Sequence, residues 1–252
     1  MIFNTISINP EFIKTYFQFG INAKAMRKEI FKINYWNPLK YCGKKRLDDS
    51  PYGGGRGLIL SYPPMKKTMA EIEKKNKKLN VNNTISVLMS PQGKLLNKQL
   101  TNELINFECI NIISSRYEGI DQRFINEYID IEISIGDYVL SSGELPMLLL
   151  IDSLVRLLPN AIGNQNEFHY DSFDSFLLGY PQYTRPQKID NEKVPEILLS
   201  GNLSQIQQWK KEQSFFKTLI ARPDLINNVG LSEKEYNYLD FIRNYMIYKN
   251  WG

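Results

Sequence analysis

"SIGDYVLSSGELP", residues 134–146, is the stretch on which the reading of this chain turns. A short apolar run, "IDIEISI" at 129–135, leads into it as a strand. Pro146 then opens the most apolar segment of the chain, "MLLLIDSLVRLLP", which reads as a helix. A plain strand-to-helix connection needs only a few polar residues. This one is longer and packs Gly136, Ser141, Ser142 and Gly143 together. Small residues clustered in this way leave the backbone open to close approach.

The same alternation extends upstream. "IFNTISI" at 2–8 reads as a strand, and Pro10 suits the first turn of a helix to about Phe19. "LDDSPYGGGRGL" is a glycine-rich loop. "LILSY" predicts a strand, 64–78 a helix, and "TISVLMS" a strand ending at a turn, "SPQG". A helix around 97–105 and a strand "CINIIS" follow, ending at "SRYEG". Strand and helix alternate, so the expected fold is α/β with a mostly parallel sheet. Three strand ends carry unusual loops: "SPQG", "SRYEGID" and the opening stretch. Ligands of open α/β sheets bind outside the carboxyl ends of strands, so the three loops predict one pocket. The alternative is three ordinary turns, since Gly and Ser are common in turns.

Composition narrows the function. The 252 residues suffice for one large domain or two smaller ones, and 42% apolar with 23% charged residues is ordinary for a globular protein. No signal peptide or membrane span is read, so a cytoplasmic protein with no membrane partner is expected. Cys42 and Cys109 fit reduced thiols and no zinc pattern, and His169 is the only histidine. Gly43-Lys44 and Gly93-Lys94 are followed by Lys45 and Leu95, so no P-loop is present. Residues 1–162 carry 21 basic and 16 acidic side chains, and 163–252 carry 10 and 11. Eight Lys or Arg lie at 24–46 with Glu29 as the only acid. Such a patch suits a polyanion, although a solvated surface has the same composition.

Domains are expected at 1–162 and 174–252, joined by a polar linker at 163–173. "SQIQQWKKEQSFFKTLI" places Ile206, Trp209, Phe216 and Ile220 on one helical face. "SEKE" at 232–235 is a capping box before a helix to about Tyr248. The second domain is therefore expected to be small and all-helical.

Nine strings, in order and at compatible spacing from end to end, resemble the bacterial tRNA (guanine-37-N1)-methyltransferases of the SPOUT class. They are "DDSPYGGGRG", "LMSPQGKLLN", "SRYEGIDQR", "SIGDYVLSSGELP", "IDSLVRLLP", "DSFDSFLLGYPQYTRP", "VPEILLSGN", "IQQWKKEQS" and "RPDL". The resemblance implies a deep trefoil knot, a homodimer with active sites at the subunit interface, and S-adenosylmethionine as methyl donor. The methyl group goes to N1 of guanosine 37 in tRNA, beside the anticodon, forming 1-methylguanosine and supporting reading-frame maintenance. By motif match the cofactor is held by Leu88, Met89, Ser90 and Pro91; by Ser115, Tyr117, Glu118 and Gly119; and by Ser134, Ile135, Gly136, Asp137, Tyr138, Val139, Leu140, Ser142 and Gly143. Guanine N1 carries a proton, so a base must take it while a donor faces O6. The resemblance assigns these roles to Asp171 and Arg156. Read alone, Arg156 is an i,i+4 partner of Asp152, and Asp171 a linker residue or helix cap. Ser50, Tyr52, Gly55, Arg56 and Arg185 are the expected tRNA contacts. A Mg2+ requirement is implied as well, with no ligand constellation in the sequence.

The chain departs from the family pattern at several positions. Serine stands at 115 and 142, where the pattern has glycine. Ser50 replaces Arg, Arg56 replaces Pro, and Gln182 and Leu203 stand where His is common. If Ser142 takes a positive φ, its Cβ costs about 1 kcal/mol. Two rivals stand beside the main reading: a tRNA-binding protein that has lost turnover, and a SPOUT enzyme acting at another RNA position.

Overall fold

β1 (Ile2–Ile6) points Phe3 to one side of the sheet and Asn4 and Ile6 to the other, as strand periodicity requires. The protein is described here from a computed structural model covering residues 1–55, 57–116, 118–161, 171–173 and 176–226. The chain divides into two units, Met1–Gln165 and Asn166–Gly252.

In the first unit β1 is followed by α1 (Pro10–Tyr16), α2 (Gly20–Arg27) and β2 (Lys32–Trp36). A short 3-10 turn, Pro38–Tyr41, leads to β3 (Asp48–Asp49) and β4 (Ile59–Leu60), which form a small antiparallel pair. Then come α3 (Tyr62–Lys78), β5 (Thr84–Leu95), α4 (Lys98–Leu104), β6 (Cys109–Ser114), α5 (Gln122–Tyr128), β7 (Ile131–Ser134) and α6 (Glu144–Val155). Five strands pair in the order β2-β1-β6-β5-β7, all parallel. The expected mostly parallel α/β sheet is present.

Two apolar clusters cover the two faces. Phe3, Val87, Met89, Ile110, Ile112 and Ile133 pack against residues of α1, α2, α4 and α6. Phe3, Phe17 and Phe31 meet edge to face at 5.8 and 5.9 Å, each contact adding about 0.5–1.5 kcal/mol beyond burial. On the other face Ile6, Leu88 and Ile113 pack against Met65, Met69 and Ile72 of α3 and Phe124 of α5.

Several elements differ from the sequence reading. The first helix stops at Tyr16, because the chain turns and restarts at Gly20 with φ +69°, so α2 and β2 are additional. α5 is also additional; the Asp121 side chain accepts from Arg123 N–H at 2.9 Å and starts it. "SPQG" is not a simple turn. Ile133 pairs with Met89 and again with Lys94, so β5 loops out and returns to the same neighbour. Gly93 lies so close to β7 that a Cβ would sit 2.3 Å from the Glu132 carbonyl carbon.

A row of polar side chains crosses four strands beneath α3. Asn34 donates to Asn4 (2.9 Å), Asn4 to Asn111 (2.9 Å), and Asn111 to the Ser86 hydroxyl (3.1 Å). These four residues are in register across β2, β1, β6 and β5. Asn76 of α3 and the Trp36 indole complete the set. Each buried amide is thus paired, which avoids a penalty of about 1–3 kcal/mol per orphaned group. Cys109 lies in this layer, fully buried, and burial pushes its thiol up to about 11. Cys42 is half-buried. A maleimide reagent is therefore expected to label Cys42 in the native protein and Cys109 only after denaturation. Native labelling of Cys109 at the rate of Cys42 would contradict this packing.

The second unit holds β8 (Lys188–Ile189), β9 (Glu192–Lys193), α7 (Glu196–Leu199), α8 (Leu203–Ala221) and α9 (Pro223–Ile226). It is not all-helical, because β8 and β9 form a hairpin around Asp190, at φ +51°, and Asn191. The predicted face of α8 is also corrected. Phe215 and Leu219 are buried, while Ile220 is 70% exposed. The stretch offers apolar residues on both sides, and Thr218 decides between them by accepting from Leu178 N–H at 2.8 Å. The helix expected after "SEKE" lies outside the described residues. Among the described residues no helix is long and apolar enough to cross a membrane.

Candidate active site

β6, β5 and β7 are neighbours, so the loops leaving their carboxyl ends open on one edge of the sheet. The three loops close around a cavity of about 430 Å3. Leu88, Met89, Ser90 and Pro91 form one wall, and Ser115, Glu118 and Gly119 a second. Ser134, Ile135, Gly136, Tyr138, Val139, Leu140, Ser142 and Gly143 form the third. All of these residues come from the three strand ends singled out in the sequence. Asp137 does not line the cavity; it faces solvent. Tyr117 lies outside the described residues.

Glycine is required where backbones meet. Gly143 N–H donates to the Ser115 carbonyl at 3.0 Å, and a Cβ at Gly143 would stand 2.9 Å from Ser114 Cα and Ser115 N. The Tyr138 ring rests on Gly136, where a Cβ would be 2.5 Å from it. Ser115 and Ser142 need no such freedom, since neither is among the described residues with positive φ. The backbone strain anticipated at Ser142 is absent, and the Ser115 hydroxyl reaches the Met89 carbonyl at 3.5 Å.

The sequence reading did not name Gln92, Arg116, Gln122 or Glu132, which also line the cavity. Arg116 is the only cationic side chain among the described lining residues, which also include the acids Glu118 and Glu132. Its signal was available as the one base in "SRYEG". Behind it sits Glu144, the first residue of α6 and 1% exposed. Glu144 Oε1 accepts from the Ser7 hydroxyl at 2.7 Å and lies 3.7 Å from Arg116 Nε. A carboxylate at a helix N-terminus is favoured by the exposed N–H groups there.

The glycine-rich loop reaches this site through Glu118. Glu118 N–H donates to the Leu58 carbonyl at 3.0 Å, and the Glu118 side chain lies against Gly57, at φ +90°. Farther along the loop Ser50 and Tyr52 are exposed, and Gly55 has φ +131°. Arg56 lies outside the described residues. Arg185 is exposed in the second unit.

Arg156 caps the C-terminus of α6 and lines an apolar groove with Phe12, Tyr16, Leu145 and Leu149, not the cavity. On that groove Tyr16 donates to Asp152 at 2.8 Å, and burial and this carboxylate push the phenol up to about 12. Asp171 is an exposed residue of the second unit. No group of three or more His, Cys, Asp or Glu that could hold a metal forms among the described residues.

A family model described as tRNA (guanine-1)-methyltransferase TrmD matches residues 1–228. The chain belongs to this family. Among relatives of the TrmD family, the tRNA (guanine-N(1)-)-methyltransferase of Buchnera aphidicola subsp. Baizongia pistaciae is 43% identical, over 95% of each chain. That of Pseudoalteromonas translucida is 40% identical over 91% of this chain and 89% of its own. The crystal structure of tRNA (m1G37) methyltransferase from Aquifex aeolicus superposes with a TM-score of 0.72 at 34% identity. It covers 90% of this chain and 95% of that one.

Proposed function

We propose that this TrmD-family chain transfers a methyl group from S-adenosylmethionine to N1 of guanosine 37 in tRNA. The observation that carries the proposal is the single cavity made by three glycine- and serine-bearing loops. Its volume falls within the roughly 300–1,000 Å3 usual for small-molecule sites. The residues fit this cofactor: Gly119 leaves open space where a Cβ would stand, and the partly exposed Arg116 lines the cavity with its Nε lacking a hydrogen-bond partner among the described residues. Residues 134–143 would hold the adenosine through backbone groups, with Leu88–Pro91 opposite and Ser115–Gly119 toward the amino-acid tail. When bound, the cofactor supplies an electrophilic methyl group.

The chain supplies the rest. Asp171 takes the proton from guanine N1, and Arg156 offers donors to O6, where negative charge develops. The eight basic residues at 24–46 are all exposed and attract tRNA phosphates, and Ser50, Tyr52, Gly55, Arg56 and Arg185 approach the anticodon arm. We infer a homodimer with active sites at the subunit interface, because Phe12, Tyr16, Leu145 and Leu149 stay exposed on the groove that Arg156 rims. The knotted path rests on the return of β5 to β7 and on the tie of Gly143 to Ser115. The domain division is proposed at 1–162 and 174–252, and the protein acts in the cytoplasm, where its tRNA is found.

The test is transfer of labelled methyl to unmodified tRNA. Incorporation is expected into transcripts with guanosine at position 37 and not into those with adenosine there. Equal labelling of both would assign the chain to another nucleotide, and no labelling of either would leave a tRNA-binding protein.

A further inference from the structure

Glu144 and Arg116 form an incomplete pair. Both Arg116 Nε and Glu144 Oε2 are buried and without a hydrogen-bond partner among the described residues. The 3.7 Å between Nε and Oε1 is an ion-pair distance and too long for a hydrogen bond. Oε1 is already held by the Ser7 hydroxyl, whose own oxygen accepts from Asn9 N–H at 2.9 Å, so the Ser7 proton is committed to Glu144. The Glu144 side chain is 2% exposed and that of Arg116 35%, so the guanidinium reaches from a fixed carboxylate into the cavity. Buried polar atoms in folded proteins are almost always paired, so two unpaired atoms side by side at a cavity call for a functional or structural reason.

We propose that Arg116 binds the carboxylate of the cofactor's amino-acid tail, and that Glu144 is a positioning residue that aims the guanidinium. The inference rests on the cavity being the S-adenosylmethionine site. A carboxylate entering a cavity lined by Glu118 and Glu132 needs a cation, and Arg116 is the one that the described lining provides. Its planar fork suits a carboxylate in two-point contact. Ser7 and Glu144, at the end of β1 and the start of α6, lock the stem of that fork from behind.

Calorimetry with two thioether nucleosides tests this. S-adenosylhomocysteine carries the amino-acid tail, and 5′-methylthioadenosine lacks it. The wild-type protein is expected to bind both and to prefer the first. Arg116→Met should weaken S-adenosylhomocysteine roughly 10- to 100-fold, the scale of a charge-assisted hydrogen bond, and leave methylthioadenosine within about twofold. Glu144→Gln should reproduce that selective loss in part, with a melting curve to show that the protein is folded. If it is not folded, Ser7→Ala loosens the same carboxylate and should give the same selectivity. Equal weakening of both nucleosides by Arg116→Met, or of neither, overturns the carboxylate assignment. Wild-type selectivity in folded Glu144→Gln overturns the positioning role. Failure of the wild-type protein to bind either nucleoside would instead reject the cofactor cavity itself.

Discussion

Asp171→Asn is expected to slow single-turnover methyl transfer by roughly 10²–10⁴, the usual cost of losing a general base. Asparagine keeps the size and polarity of aspartate but cannot take the guanine N1 proton. Dissociation constants for tRNA and for S-adenosylhomocysteine should change little, because on the proposed mechanism Asp171 acts on the proton and not on affinity. Its exposed position in the second unit fits a side chain that meets guanine only in the tRNA complex. Single-turnover kinetics separate this chemical step from product release. A variant that transfers methyl near the wild-type rate would remove Asp171 from the mechanism and leave Arg156 as the next residue to test.

Gly93→Ala is expected to have the largest effect on stability. The added Cβ would sit 2.3 Å from the Glu132 carbonyl carbon and 2.4 Å from Ile133 N. Both are backbone atoms of β7, which cannot swing aside as a side chain would. β5 and β7 must separate at the point where β5 returns to its neighbour. Overpacking typically costs about 1–3 kcal/mol, and a clash that only backbone movement can relieve falls at the upper end, about 3 kcal/mol. In a chain of this size that lowers the melting temperature by roughly 6–12 °C. Because Glu132, Ile133 and Ser134 line the cavity, S-adenosylhomocysteine binding should be lost as well. A Gly93→Ala protein that melts and binds like wild type would mean that the two strands are not in this contact.

The cavity was more legible than the fold around it. Gly143 sits where backbone passes backbone and Gly136 where the Tyr138 ring closes on the chain, and such needs show in composition, so the three loops could be read from the chain. Arg116 carried a signal that was passed over, the one base in "SRYEG", whereas Glu132 had none, because it meets the cavity from within a strand. Apolar runs disclosed β1, β5, β6 and β7. β2, "KINYW", was hidden inside the basic patch, and α5, "QRFINEY", is too short for periodicity, although Asp121 and the Phe124–Tyr128 stack at 5.1 Å were its local signals. The face of α8 was misread because Phe215 and Phe216 are adjacent, and helical spacing alone cannot choose between them. The return of β5 to β7 is a long-range pairing, which no local pattern encodes.

The asparagine row has a consequence for how the chain finds its fold. Pairing partners in this sheet are distant in sequence, as with Asn4 and Asn111, so assembly demands a long conformational search. Runs such as "CINIIS", buried on both faces, would pair nearly as well if displaced by two residues, since that shift keeps every side chain on its own face. Asn34, Asn4, Asn111 and Ser86 give each strand one mark at the same height. A displaced strand would leave amides facing aliphatic neighbours, at about 1–3 kcal/mol for each unpaired group. At roughly tenfold per 1.4 kcal/mol, the row makes misaligned sheets rare before the helices have closed over them.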